Sequence, residues 1–288
     1  MPFPGLLALA LLDGTTSGLL LALTVVGFSL SFGILRIVNV AHGEFFMLGA
    51  VLAWSVVTTT GSFPLALLTA PAAVMALAVG VDRLVLRPLR YAAQPTVVAT
   101  LGVLYVLQQL TLLLYGPEAR GIAPPFGATL EFPWFGYSGY KLAIAGLSVA
   151  LLSGLGVLLR GTDLGLVMRA TRQDPEMAVA LGVPVEQVYT LVFALGAGLA
   201  AVAGVLVVPV QQAHYLMGLD ALLLSFVVVI LGGLGSLGGT VAASLLVGWM
   251  DGFISLFFTP TLARILATLV VALVLVVRRG GLWDERAE

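Results

Sequence analysis

The stretch Gly18-Leu-Leu-Leu-Ala-Leu-Thr-Val-Val-Gly-Phe-Ser-Leu-Ser-Phe-Gly-Ile-Leu35 carries no charged side chain. It approaches the roughly 20 apolar residues that a helix needs to cross a hydrocarbon core. Its apolar residues are continuous and do not alternate with polar ones, so it reads as helix and not as a barrel strand. Further runs follow at 45–60, 64–81, 97–115, 141–159, 188–208, 221–234, 240–258 and 262–277. A helix satisfies its own backbone inside lipid. The expected fold is therefore all-α, a polytopic membrane helix bundle with about eight or nine apolar segments. It would form a single transmembrane domain over residues 1–288.

Composition agrees. Hydrophobic types make up 60% of the 288 residues and charged types 9%, against about 45–50% and about 25% in soluble domains. Mean hydropathy is +1.12. There are too few polar residues to cover a soluble globule, and short loops leave no room for a soluble catalytic or receptor domain. A net charge of -1 without a basic cluster argues against nucleic acid. The absence of cysteine excludes disulfides and thiolate metal sites. His42 and His214 are the only histidines, and no carboxylate cluster lies near either in sequence, so no metal is expected. Met1-Pro-Phe-Pro lacks the basic start of a cleavable signal, so the first spans are expected to target the chain.

Arginine sets the expected orientation. Arg83, Arg87 and Arg90 fall in the 82–96 loop. Arg160, Arg169 and Arg172 fall in the 160–187 loop, and Arg278, Arg279 and Arg286 in the tail. All three regions are expected in the cytoplasm. Segments 116–140 and 209–220 carry little basic charge and are expected outside, with the N-terminus outside and the C-terminus inside.

Two runs look too short for ordinary spans. Residues 45–60 follow the polar stretch from Arg36 through Asn39, His42 and Glu44, and residues 221–234 lead into a glycine tract. One interrupted segment in each half points to a transporter's substrate path. Asn39, His42 and Glu44 would line that path or hydrogen-bond the break; the alternative places them solvated at the cytoplasmic interface. The tract containing Gly232, Gly233, Gly235, Gly238 and Gly239 lacks the Gly-Lys-Ser/Thr ending of a phosphate loop, since Lys141 is the only lysine. It reads as a tight turn with close backbone approach. Ser244, Gly248 and Gly252 recur every fourth residue, as do Gly196, Ala200 and Gly204, a spacing that lets helices pack closely in lipid. Gln108, Gln109 and Asp251 lie inside apolar runs, where sequence leaves their roles open.

In the 160–187 loop, Asp174 suits an N-cap, Pro175 the first turn and Gly182 the stop of a helix of about two turns. Such a helix, showing Met177, Val179, Ala180 and Leu181, suits docking into a partner's groove; the alternative is a surface loop with local helix.

At these residues the chain resembles a family, the permeases of branched-chain amino acid ABC importers. Ile37-Val-Asn-Val-Ala-His-Gly-Glu-Phe-Phe-Met-Leu-Gly49 resembles the signature after their first span. Ile230-Leu-Gly-Gly-Leu-Gly-Ser-Leu-Gly-Gly239 resembles their second, glycine-rich signature, and Asp174-Pro-Glu-Met-Ala-Val-Ala-Leu-Gly182 their ATPase-docking loop. In that loop Glu176, Ala178 and Gly182 hold the family spacing, while Met177 replaces an alanine.

The resemblance runs from about residue 14 to residue 282. It implies ATPase coupling through Asp174, Glu176, Ala178 and Gly182, and a path shaped by Asn39, His42, Glu44 and the glycines. No Walker motif is present, so ATP and magnesium would be bound by two separate cytoplasmic ATPase subunits, with no cofactor and no catalytic residue on this chain. A second homologous permease, an extracytoplasmic substrate-binding protein and membrane lipid complete the implied partners, in a bacterial cytoplasmic membrane. Urea or short amides are the alternative substrates within the family. An ion-coupled secondary transporter is the rival outside it, opposed by the docking loop and the scarcity of membrane charge, and an intramembrane enzyme is a distant third.

Overall fold

The computed structural model describes residues 3–132 and 135–258, together with positions 262 and 269. The expected run 262–277 and the arginines of the tail lie outside the described residues.

The described chain is a helix bundle, and the structure bears out the expected class. Its long helices are α1 (Phe3–Leu35), α2 (His42–Thr60), α3 (Phe63–Val81), α4 (Ala93–Tyr115), α5 (Gly139–Gly161), α8 (Val185–Val207) and α10 (Leu237–Ile254). With α3 extended by the π-helical turn Asp82–Leu86, these seven are long and apolar enough to cross a membrane. The shorter helices are α6 (Asp163–Gln173), α7 (Pro175–Ala180) and α9 (Met217–Gly232). A two-stranded antiparallel pair, β1 (Thr129–Glu131) with β2 (Gly136–Ser138), lies between α4 and α5.

Helices α1 and α8 form the interior. In their most apolar stretches 83% and 78% of residues are buried, against 22% in α4 and α5, so the latter lie at the periphery. Small residues bring the interior helices together. At Gly196 a Cβ would lie 2.5 Å from the carbonyl oxygen of Gly27, and at Gly14 one would lie 2.7 Å from that of Gly248. The repeat of Ser244, Gly248 and Gly252 thus lines the α1–α10 seam, while that of Gly196, Ala200 and Gly204 packs against α1 at Gly196 and against Phe46 and Ala50 of α2 at Gly204, close packing as expected from the spacing.

Three expectations need correction. The first helix starts at Phe3, not near residue 18. Its polar residues find partners within the fold: Thr15, Thr16 and Ser17 donate to carbonyls one turn back, and Asp13 pairs with Lys141 at 2.6 Å. Second, 45–60 is not a short run, because His42, Gly43 and Glu44 form the first turn of a 19-residue helix. Third, the 160–187 loop holds two helices; α6 precedes the expected one. The other short run, near 221–234, does remain short as the 16-residue α9.

The arginines segregate as their spacing suggests. Arg36 donates to the carbonyl of Arg172 at 3.1 Å, Arg87 pairs with Glu186 at 3.4 Å, and Arg169 bonds the carbonyl of Leu159. The segments around 82–92 and 160–187 therefore share one end of the bundle.

Candidate functional site

The break between α1 and α2 is not at the surface. His42 Nε2 lies 2.9 Å from the carbonyl oxygen of Thr24, and its ring packs 5.3 Å from that of Phe28. Thr24 is about 16 Å along the axis from the end of α1 at Leu35. Residues 36–39 leave the helix and residues 40–41 turn into α2, which brings His42 back into the bundle at that depth. The N-terminus of α2 thus starts inside the membrane-spanning region, at a depth where stray backbone groups must be satisfied by protein.

They are. The Ala41 amide donates to Asn39 Oδ1 at 3.0 Å, and the Val40 amide donates to Thr100 Oγ1 of α4 at 3.2 Å. Asn39, His42 and Glu44 are all buried to 1% exposure or less. That rules out the solvated interfacial placement. Thr100 was not singled out from the sequence; a lone threonine in an apolar run gives no signal of a bond to residue 40.

Glu44 faces α9. A Cβ on Gly218 would lie 2.9 Å from its carboxyl carbon and oxygens, and a Cβ on Gly43 would overlap the Gly218 backbone carbonyl, so Gly43 lets the two helices meet there. The carboxyl group stands in the first turn of α2 and against Gly218 in the first turn of α9. Neither Glu44 oxygen has a hydrogen-bond partner among the described residues.

Beside this junction opens a cavity of ≈ 180 Å³. Thr24, Gln211, Gln212, His214, Asp220 and Asp251 supply its polar lining, and Leu20, Leu21, Leu224 and Val247 its apolar wall. It adjoins the junction through Thr24 and Met217, yet Asn39, His42 and Glu44 do not line it. Asp251, open in the sequence, is placed here. Gln108 is half-buried and Gln109 exposed, away from this cavity.

The glycine tract makes the turn between α9 and α10. Gly233 and Gly235 have φ of 90° and 85°, a region that disfavours side chains. A Cβ at Gly232 would sit 2.6 Å from the carbonyl oxygen of Gly239. Ser236 caps α10 by accepting from the Gly239 amide at 3.2 Å. Gly238 has open space around it, and Gly33 of α1 packs against Gly235. The tract belongs to the arginine-rich end, one helix length from the 180 Å³ cavity, so the predicted path residues form two clusters.

At the same end α7 stands as the sequence suggests. Asp174 accepts from the Met177 amide at 2.9 Å, and Pro175 opens the helix. Gly182 has φ of 85°; its amide donates to Val179 and the Val183 amide to Ala178, each at 2.9 Å, closing a Schellman stop. Ala178 is buried beneath the helix, Glu176 is exposed, and Met177, Val179 and Leu181 are 57%, 59% and 78% exposed. An apolar face is thus held out from the bundle by a capped helix.

A latch missed in the sequence lies next to it. Buried Asp82 accepts from Thr190 Oγ1 at 2.5 Å and from the Tyr91 hydroxyl at 3.1 Å. Arg87 donates to Thr190 at 3.3 Å. Burial, reinforced by the neighbouring Asp82, holds the Tyr91 phenol well above its ordinary range, so it stays a donor. These bonds tie the π-helical end of α3 to the start of α8, which follows α7 directly.

Comparison with known proteins comes down on one family. A family model described as the permease component of branched-chain amino acid transport systems matches residues 10–277. The chain is 28% identical over 292 residues to the high-affinity branched-chain amino acid transport system permease protein BraD of Pseudomonas aeruginosa, covering 94% of each. It is 27% identical over 290 residues to the corresponding LivH protein of Escherichia coli, covering 94% of this chain and 93% of that one. A probable LivH permease of Methanocaldococcus jannaschii is 26% identical over 250 residues, covering 83% and 78%. No solved structure matches the chain.

Proposed function

We propose, because this chain belongs to the family of permease components of branched-chain amino acid transport systems, that it is the membrane-spanning subunit of an ATP-driven importer of those amino acids. The exposed, doubly capped helix α7 at the arginine-rich end carries this reading. Its apolar face fits a groove on a cytoplasmic ATPase subunit. The arginine-rich end then faces the cytoplasm, the N-terminus lies outside and the C-terminus inside, in a bacterial cytoplasmic membrane.

In this reading the chain is not itself an enzyme. ATP and magnesium are held by two ATPase subunits, substrate arrives on an extracytoplasmic binding protein, and a second homologous permease completes the membrane unit. ATP-driven movement of α7 passes to α8 through the short 181–184 link and to α3 through the Asp82–Thr190 latch. Tightly packed helices move as bodies rather than deform. Asp174, Glu176, Ala178 and Gly182 carry the coupling. Asn39, His42 and Glu44 hold the α2 break that shapes the path, and the glycines of 232–239 let the α9–α10 turn close against α1.

The test is gene-dependent uptake of labelled leucine and, separately, urea in cells. Each is measured after ATP depletion with the proton gradient kept, and after gradient collapse with ATP kept. Leucine uptake lost only on ATP depletion is the expected result. Loss only on gradient collapse would make the chain a secondary transporter, and a preference for urea would reassign the substrate.

A further inference from the structure

Two further cavities meet at the arginine-rich end. One, of ≈ 400 Å³, lies between α1, α6 and the α9–α10 turn, and Arg160, Arg169 and Arg172 line it together with Ser29 and Ser236. Among the described residues no carboxylate lines it. The other, of ≈ 620 Å³, runs along α1, α5 and α10 between Val26, Leu152, Leu155 and Val241. Leu159, Arg160, Leu237 and Gly238 border both, so the two are continuous.

The chemistry changes along this continuous groove. The inner part is walled by aliphatic side chains of membrane-spanning helices, with Gly156 leaving open space within 4 Å of where a Cβ would stand. The outer part is cationic. Arg160 sits at the join and makes no hydrogen bond or ion pair among the described residues, while Arg169 is held in place by the carbonyl of Leu159. A free anion would use the outer part alone, and a neutral hydrocarbon the inner part alone. A molecule with an anionic head and an acyl tail uses both. Basic pockets between helices at the end of a bundle bind anionic head groups on the same grounds.

We propose that this groove is a binding site for an anionic phospholipid, with its phosphate among Arg160, Arg169 and Arg172 and one acyl chain along α5 beside Gly156. The site touches the α9–α10 turn through Ser236 and helix α6 through Met168. An occupying lipid would therefore brace the segment that carries α7. The assignment needs only membrane insertion and stands whether or not the transport reading holds.

The experiment uses the full chain in detergent and measures binding of phosphatidylglycerol, phosphatidylcholine and soluble glycerol phosphate by native mass spectrometry. Phosphatidylglycerol should bind well above the other two. Arg160→Gln should weaken it about fivefold, the loss expected for one arginine near an anionic surface, and Arg160→Lys should restore most of it. The chain has no native cysteine, so Gly156→Cys can carry a single photoreactive label in the groove. In membranes containing phosphatidylglycerol the label should capture lipid.

Equal binding of phosphatidylcholine would remove the charge recognition, and equal binding of glycerol phosphate would remove the acyl chain. Unchanged phosphatidylglycerol binding by Arg160→Gln would overturn the head-group site. Capture of residues 262–277 or of a second copy by the label would make the groove a protein contact instead. Arg160→Gln that binds weakly but melts at the wild-type temperature excludes simple unfolding as the cause.

Discussion

The carboxyl group of Asp82, wholly buried at the π-helical end of α3, accepts a 2.5 Å hydrogen bond from the hydroxyl of Thr190 in the second turn of α8. The two residues are 108 positions apart in sequence. Their bond joins a helix at the lipid-facing side to one in the interior, next to the loop that presents α7. The Arg87–Glu186 pair beside it, in which Arg87 is half-buried and Glu186 exposed, adds little by itself, because pairs open to solvent are worth about 0–1 kcal/mol. Thr190→Val keeps the shape and removes the donor. It should lower stability by about 1–3 kcal/mol, since it strands a buried acceptor. Melting in detergent checks this. In an Asp82→Asn, Thr190→Val double variant the losses should fall short of their sum, as expected for contacting residues.

The close approach at the α2–α9 junction rests chiefly on Gly43. A Cβ on Gly43 would overlap the Gly218 carbonyl, and one on Gly218 would meet the Glu44 carboxyl group at 2.9 Å. Gly43→Ala should cost about 1–3 kcal/mol by overpacking, and Gly218→Ala less, because the Glu44 carboxyl group that it meets ends a flexible side chain that can turn aside. Gly146→Ala and Gly154→Ala, on α5 with nothing within 4 Å, should instead be neutral or stabilise by about 0.5–1 kcal/mol. Yields of folded protein and melting temperatures of the four variants test the contrast.

Asn39 and Thr100 are the acceptors that make the buried break tolerable. Asn39→Ala leaves the Ala41 amide without its partner, and Thr100→Val does the same for the Val40 amide. Each should cost about 1–3 kcal/mol. Amide hydrogen exchange should rise at residues 40–44 and stay unchanged at the far end of α2.

These cases separate what the sequence reveals from what it hides. Helix class, the arginine-rich end, the small-residue seams and the whole α7 motif follow from local pattern: apolar runs, charge placement, and Asp-Pro to Gly spacing. Asp174, Pro175 and Gly182 act only on neighbours a few residues away, so their roles are readable. The depth of His42 is not, because it depends on its own bond to Thr24, 18 positions away, and on the bond of Val40 to Thr100, 60 positions away. The start of α1 is hidden for a similar reason. Asp13 looks too polar for a buried helix until Lys141 and Tyr137, which bonds it at 3.1 Å, are brought to it by the fold. Asp82 and Arg87 sit among other charges in a loop-like stretch, and nothing local marks Thr190 as their partner.

Gly182 stops α7 with a left-handed residue, which makes the helix end sensitive to a Cβ. Gly182→Ala should cost about 1 kcal/mol, and Gly182→Asn less, because asparagine tolerates that region best after glycine. If α7 couples the ATPase, uptake should fall in the same order, while membrane insertion is retained.

The most direct test of the account replaces Leu181, which at 78% exposure supports no packing within this chain, by aspartate. Labelled leucine uptake and co-purification of the ATPase subunits are measured at matched membrane levels of wild-type and Leu181→Asp protein. The account predicts normal insertion with uptake at background and the ATPase lost from the complex. Wild-type uptake by Leu181→Asp would contradict it, because a charge on the docking face cannot leave docking intact.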